Sequence, residues 1–158
     1  RQRQMCIRDR FVPTNNVGIM NEYFNAVIEI IRTGHWFTDK ISRELKEYQI
    51  YEPQFNVLRI LRGAGGTPLS VNQILENMIQ RSSNVTRIVD KLSSRGLVRR
   101  ELCSEDRRKM DIVITEKGLA LLEKLDKKVN DFHMPMSTNL SKEEANKLKE
   151  LIIKLKGN

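Results

Sequence analysis

A chain of 158 residues, 39% apolar and 30% charged, is long enough for one domain with a modest core and too ordinary in composition to be disordered. No apolar run approaches the ~20 residues that span a bilayer. Cys6 and Cys103 lie far apart with no CxxC, which argues against a disulfide framework or a zinc site.

The net charge of +8 is uneven, and residues 79–109 hold nine Lys and Arg against four Asp and Glu. So localised a positive field points to a polyanion partner as readily as to a solvated basic face. Only His35 and His133 could serve a histidine metal site. No metal or other cofactor is therefore expected. The N-terminus lacks the apolar core of a signal peptide, so a cytoplasmic protein is expected.

In chain order, residues 1–10, "RQRQMCIRDR", show no apolar periodicity. They resemble translated sequencing-adapter sequence and are set apart as a non-native leader, leaving 11–158 as a single domain. Met20, Phe24, Val27, Ile31, Ile41, Leu45 and Tyr48 recur at helical spacing over 19–48. Gly34 and "GHWF" interrupt the pattern, which leaves two helices or one kinked helix. Pro53 suits the first turn of the next helix, Phe55, Leu58 and Leu61 give its apolar face, and Gly63 ends it before the turn "GAGGTP". Ser70 and Gln73 form a capping-box pattern for a short helix with Ile74, Leu75 and Met78 inward.

Ser82 or Ser83 can cap the following helix, whose buried stripe is Val85, Ile88, Val89 and Leu92. Gly96 closes it. Strands are expected at 97–102 and 109–114. In the second, Met110, Ile112 and Ile114 share one face and Asp111 and Val113 the other. Thr115 starts a helix carrying Leu119, Leu122, Leu125, Val129 and Phe132, broken at Pro135. Ser141 and Glu144 open the last helix, lined by Ala145, Leu148, Ile152 and Leu155.

Two short helices joined by a tight turn and followed by a β-hairpin make a winged helix-turn-helix. The fold class is therefore mainly α with a small β-hairpin wing (α+β), flanked by N- and C-terminal helices. A recognition helix must bury one face and offer hydrogen-bonding side chains at its exposed start. Ser83, Asn84, Thr86 and Arg87 are such side chains. Arg87 suits bidentate pairing with guanine and Asn84 with adenine. Ser82 or Ser83, with the helix N–H groups, suits a phosphate. The plainer readings are capping for the serines and an ion pair with Asp90 for Arg87. In the wing, Arg107, Arg108 and Lys109 can reach a narrow minor groove, and Asp106 can hold an arginine in position. An ordinary solvated turn is the plainer reading there.

The stretches "SNVTRIVDKLSSRGLVRR" and "DRRKMDIVITEKG" resemble the MarR (multiple antibiotic resistance regulator) family of transcriptional regulators. The family's wing reads Asp-x-Arg, an alternating strand, then Leu-Thr-x-x-Gly. Here the matching residues are Asp106, Arg108, Ile114, Thr115 and Gly118, with Ile in place of Leu. "EPQFNVLRIL" and "LSKEEANKLKELIIKL" are also similar, and the likeness covers residues 20–156. The resemblance implies a homodimer on double-stranded DNA, with 53–114 as the winged helix-turn-helix and 18–50 and 115–156 as dimerisation helices. Amphipathic helices outside the winged motif need a surface to bury against, which supports a dimer independently. Two recognition helices about 34–36 Å apart would read a palindrome.

Many members of that family release DNA on binding a small aromatic or anionic compound, so such an effector is a further expectation. His35 and Trp36 could stack on and hydrogen-bond an aromatic acid, although a core tryptophan with a satisfied histidine is the preferred reading. Cys103, beside Arg99 and Arg100 in sequence, is read as an incidental thiol rather than a sensor.

The reading is a dimeric, sequence-specific regulator, a repressor before an activator. A nonspecific architectural DNA binder would need mainly Lys and Arg rather than the polar "SSN.TR" set. The "DRRK" wing argues against a winged-helix protein-interaction module. No GxSxG, P-loop, HExxH or CxxC pattern supports an enzyme.

Overall fold

The computed structural model describes residues 22–80, 84–102 and 110–157. Residues 1–10, Ser82, Ser83, Cys103, Asp106, Arg107, Arg108 and Lys109 lie outside them. The described elements are α1 (Glu22–Lys46), α2 (Glu52–Gly63), β1 (Leu69–Ser70), α3 (Val71–Asn77), α4 (Val85–Ser94), β2 (Val98–Leu102), β3 (Met110–Ile114), α5 (Glu116–His133), α6 (Met136–Asn139) and α7 (Lys142–Leu155). The chain divides into two compact units, Arg1–Phe37 and Thr38–Asn158.

In the first unit the described residues are all helical, and α1 runs unbroken through Gly34 and "GHWF". A glycine inside a helix costs about 1 kcal/mol relative to alanine, too little to break a helix of this length. Tyr23, Phe24, Val27, Ile30 and Ile31 are exposed on it.

The second unit holds the core. Leu45, Ile50, Leu58, Leu61, Ile74, Leu92, Ile112, Leu122 and Leu125 are fully buried in one cluster drawn from nearly every element. Both predicted capping boxes form. Ser70 Oγ accepts from the Gln73 N–H at 3.3 Å, and Ser141 Oγ accepts from the Glu144 N–H at 3.1 Å. The Gln73 and Glu144 side chains accept in return from the two N-cap backbone N–H groups, each at 2.8 Å.

Several expectations need correction. The turn after α2 leads into a strand, β1, which pairs antiparallel with β3 and makes a three-stranded sheet of order β1-β3-β2. A two-residue strand carries no periodicity that a sequence could display. The expected alternation of β3 fails at both ends. Met110 is exposed, whereas Val113 is buried along with Ile112 and Ile114. The N-cap of α4 is Asn84, one residue beyond the serines read as caps, and its side chain makes no capping bond. Helix α7 buries none of its residues, the expected apolar line of Ala145, Leu148, Ile152 and Leu155 included.

One joint ties α4, the hairpin and α5 together. Gly96 turns the chain out of α4 with φ +69°, where a side chain is strained. The Leu97 N–H then donates to the Leu92 carbonyl at 3.0 Å, and the Leu97 carbonyl accepts from the Thr115 N–H at 3.1 Å. Thr115 Oγ1 donates to the Gly96 carbonyl at 2.8 Å and accepts from the Gly118 N–H at 3.1 Å, so it caps α5 while holding the end of α4. Gly118 lies so close that a Cβ there would stand 2.2 Å from the Leu97 carbonyl oxygen and 2.8 Å from an Ile114 side-chain carbon.

Gly118→Ala is therefore expected to destabilise the fold by about 2–3 kcal/mol, because the obstructing atom is backbone and cannot swing aside. Urea denaturation measures this, and a Gly118→Ala variant as stable as the parent would contradict the close approach.

Candidate nucleic-acid interface

Helix α4 buries Val85, Val89 and Leu92 and half-buries Ile88. At 3.6 residues per turn this leaves Thr86, Arg87, Asp90, Lys91 and Ser94 on the outer face, with Asn84 exposed at the cap. Three of the residues proposed from sequence, Asn84, Thr86 and Arg87, thus share the exposed start of one helix. Ser82 and Ser83 precede it, outside the described residues.

The plainer reading of Arg87, a pair with Asp90, is not what forms. Asp90 is engaged by the Arg100 guanidinium from β2, and Arg87 has no ion pair among the described residues. The geometry explains the exchange, because β2 runs beside α4 and brings a second arginine to the carboxylate. The Asp90–Arg100 pair also links α4 to β2. On β2, Arg99 pairs with Glu101 at 2.7 Å. Strands β2 and β3 stay in register from Val98↔Ile114 to Leu102↔Met110. The wing residues Asp106, Arg107, Arg108 and Lys109 follow Leu102 in sequence, outside the described residues.

The far end of α4 is held with equal care. Arg95 donates to the Gln49 carbonyl at 2.6 Å and the Tyr48 carbonyl at 3.0 Å, while its own carbonyl accepts from Lys117 Nζ at 2.8 Å. Gln49 has φ 54°, a left-handed conformation that a non-glycine residue holds at some cost. Two charge-assisted bonds from Arg95 to this corner offset that cost. Arg95 therefore serves as a strut, although its charge alone would place it with the DNA contacts.

Sequence reasoning missed Lys91 and Gln54. Lys91 follows Arg87 by four residues, the spacing that puts two side chains on one helix face. Gln54 is buried at 5% exposure in α2, and its Oε1 accepts from the Tyr51 N–H at 3.0 Å. Its position three residues after Tyr51 was the available signal. Among the described residues, no group of three His, Cys, Asp or Glu could hold a metal ion. No helix among them is long and apolar enough to cross a membrane.

Comparison with known proteins fits this geometry. The model of the MarR family matches residues 50–110, from the end of the α1–α2 corner to the first residue of β3. Over 141 residues the chain is 30% identical to the multiple antibiotic resistance protein MarR of Escherichia coli K12, covering 85% of this chain and 96% of that protein. The chain belongs to the MarR family.

It is therefore a DNA-binding transcriptional regulator, of a family whose members are dimers. A second relative, the HTH-type transcriptional regulator MhqR of Bacillus subtilis, is 32% identical over 95 residues, covering 60% of this chain and 64% of that protein. Among solved structures, a MarR-like regulator from Bacillus cereus superposes with TM-score 0.72 at 25% identity, covering 87% of this chain and 98% of that one. The organohalide-sensing regulator RdhR-CbdbA1625 in its 2,4-dichlorophenol-bound form shares the fold with TM-score 0.78 at 18% identity, covering 96% of this chain and 89% of that one.

This MarR-family chain also has a cavity of about 410 Å³ in its second unit, lined by Phe55, Asn56, Arg59, Met78, Val129 and His133 among others. Arg59 lies over the Phe55 ring, 5.7 Å from its centroid. Of the effector residues proposed from sequence, Trp36 is 48% exposed on α1, edge-on to Phe37 with centroids 5.0 Å apart, and His35 beside it is exposed. The preferred reading of Trp36 as a core residue is corrected by that exposure.

Asp90→Asn is expected to cost no more than about 1 kcal/mol in urea denaturation, since the pair with Arg100 is largely exposed. Binding to random-sequence DNA should tighten, because a carboxylate leaves a phosphate-facing surface. Weaker binding with unchanged stability would assign the carboxylate a direct role in recognition.

Proposed function

We propose that this regulator is a homodimer that reads a palindromic operator. The N-terminal face of α4 would enter the major groove, with the wing residues Asp106, Arg107, Arg108 and Lys109 at the adjacent minor groove. Ser82 and Ser83 would take a phosphate ahead of Asn84. Repression by occupancy is the favoured sign. Residues 53–114 would read DNA, while 18–50 and 115–156 would dimerise. A cytoplasmic location follows from the target.

The observation that carries this reading is the exposed, polar start of α4, in which Arg87 has no ion pair among the described residues while Asp90 pairs with Arg100. A nonspecific binder has no need to keep an arginine clear of a nearby carboxylate. The dimer is supported by the uncovered apolar residues of α1 and of α7, where Leu148, Leu151, Ile153 and Leu155 are all exposed. Apolar surface of this extent on two helices calls for a partner.

For the effector we propose a small aromatic acid in the cavity beside Arg59 and His133, which offer cationic and hydrogen-bonding groups beside Phe55, Met78 and Val129, with its acid group turned from Glu52 on the same lining. Two structural relatives carry the same theme in their own chemistry. RdhR-CbdbA1625 was solved with 2,4-dichlorophenol, and DNA binding by Bordetella bronchiseptica BpsR is regulated by 6-hydroxynicotinic acid.

Selection from a random DNA library at near-physiological salt should return a two-fold symmetric consensus. Arg87→Ala should weaken binding by about 1–3 kcal/mol and relax one position in each half-site. Bound DNA with no enriched sequence would point instead to an architectural binder. Leu151→Asp, on an exposed face, should leave helix content intact and shift sedimentation to the monomer. A dimer that persists unchanged would remove α7 from the interface.

A further inference from the structure

A second concavity, about 310 Å³, lies between the start of α2 and the outer face of α4. It is lined by Tyr51, Pro53, Gln54, Asn84, Arg87, Ile88 and Lys91. Its lining contains two cations, Arg87 and Lys91, and no carboxylate. Gln54 supplies the independent sign of a ligand. The side chain is nine-tenths buried, and its Oε1 is committed to the Tyr51 N–H. The carboxamide nitrogen has no partner among the described residues, yet no buried side-chain nitrogen or oxygen there is both enclosed and unpaired. That nitrogen is therefore not sealed from the surface, and Gln54 is one of the residues lining this groove. A buried amide with its N–H donors spare beside two cations is a site for an anionic oxygen.

We infer that this groove clamps a phosphodiester of the DNA backbone. The Gln54 carboxamide would donate one hydrogen bond and the Lys91 ammonium would supply the charge, while Arg87 at the rim turns to the base edge. The groove opens on the same face as the exposed start of α4, so a strand along that helix passes it. A phosphate fixed here sets the register in which Arg87 meets its base, a positioning contact rather than a reading one. This rests on the DNA-binding reading and extends contact to the start of α2, beyond the exposed face of α4 and the wing. A free carboxylate or phosphate shares the chemistry, and the test separates the two sources.

The probe is the duplex enriched by wild-type protein, with one backbone phosphate at a time replaced by neutral methylphosphonate. The variants are Gln54→Glu, which keeps the oxygen that accepts from Tyr51 but exchanges the donor for a charge, and Lys91→Gln. Lys91→Gln, on an exposed face, should unfold at the wild-type temperature, whereas Gln54→Glu places a charge in a buried position and should unfold a few degrees lower, still folded at the assay temperature. Wild type should lose about tenfold in affinity at one phosphate per half-site. Lys91→Gln should lose affinity for native DNA with the same consensus, and should be indifferent to methylphosphonate at that position. Gln54→Glu should be weakened on native DNA and recover on that same neutralised duplex, a rescue that a general loss of packing cannot produce.

Variant losses that are the same wherever the phosphate is neutralised would overturn the clamp, as would variants that bind like wild type. Release of DNA from wild type but not from Lys91→Gln by millimolar inorganic phosphate, with no sensitive backbone position, would assign the groove to a free anion. A wild type that enriches no duplex would overturn the operator reading and the clamp with it.

Discussion

The arrangement depends on one close approach, that of the first turn of α5 to the carbonyl of Leu97. That carbonyl belongs to the residue between the reading helix and the wing. It accepts from the Thr115 N–H, and Gly118 leaves no room for a Cβ above it. Three elements meet within a few residues. The end of α4, the base of the hairpin and the start of a long helix are fixed by backbone groups and one threonine hydroxyl. A DNA-binding head built this way keeps its helix and wing at a set angle, and a displacement of α5 is transmitted to both. Arg95 adds a second strut at the same place, from the end of α4 to the corner between α1 and α2.

Electrostatics on the reading face follows from that rigidity. The hairpin is held beside α4, so Arg100 reaches Asp90. One carboxylate on the helix is thus paired with β2, and Arg87 makes no ion pair among the described residues. Both partners of that pair are too exposed to add much stability. Its effect is to tie α4 to β2.

Much of this was legible in the sequence. Apolar periodicity located every long helix, because a helix that buries one stripe repeats its pattern over several turns. Ser70–Gln73 and Ser141–Glu144 announced their caps, because the capping box is a local bond between residues three apart. The Ile114-Thr115-x-x-Gly118 sequence was visible as a family pattern. Its reason was not, because the obstruction comes from Leu97, far earlier in the chain. The same holds for Asp90, read as the partner of Arg87 on helical spacing and taken instead by Arg100 across a tertiary contact. β1 was missed because two residues carry no alternation. The apolar line of α7 was legible as well, but sequence alone does not tell a face buried within the chain from one left uncovered by it. For the candidate site, the exposed start of α4 was readable as polar residues ahead of an apolar stripe. The place of Gln54 in a groove shared with α4 was hidden, since it depends on which helix lies opposite.

Native-state amide hydrogen exchange at Leu97, Thr115 and Gly118 tests the central claim most directly, with Leu58 in the buried face of α2 as the reference. If the joint welds reading helix, wing and α5 into one unit, all three amides should open only with the core and share the exchange free energy of Leu58. Thr115 and Gly118 amides that exchange orders of magnitude faster than Leu58 would show α5 hinging away from the reading head, and would contradict the account.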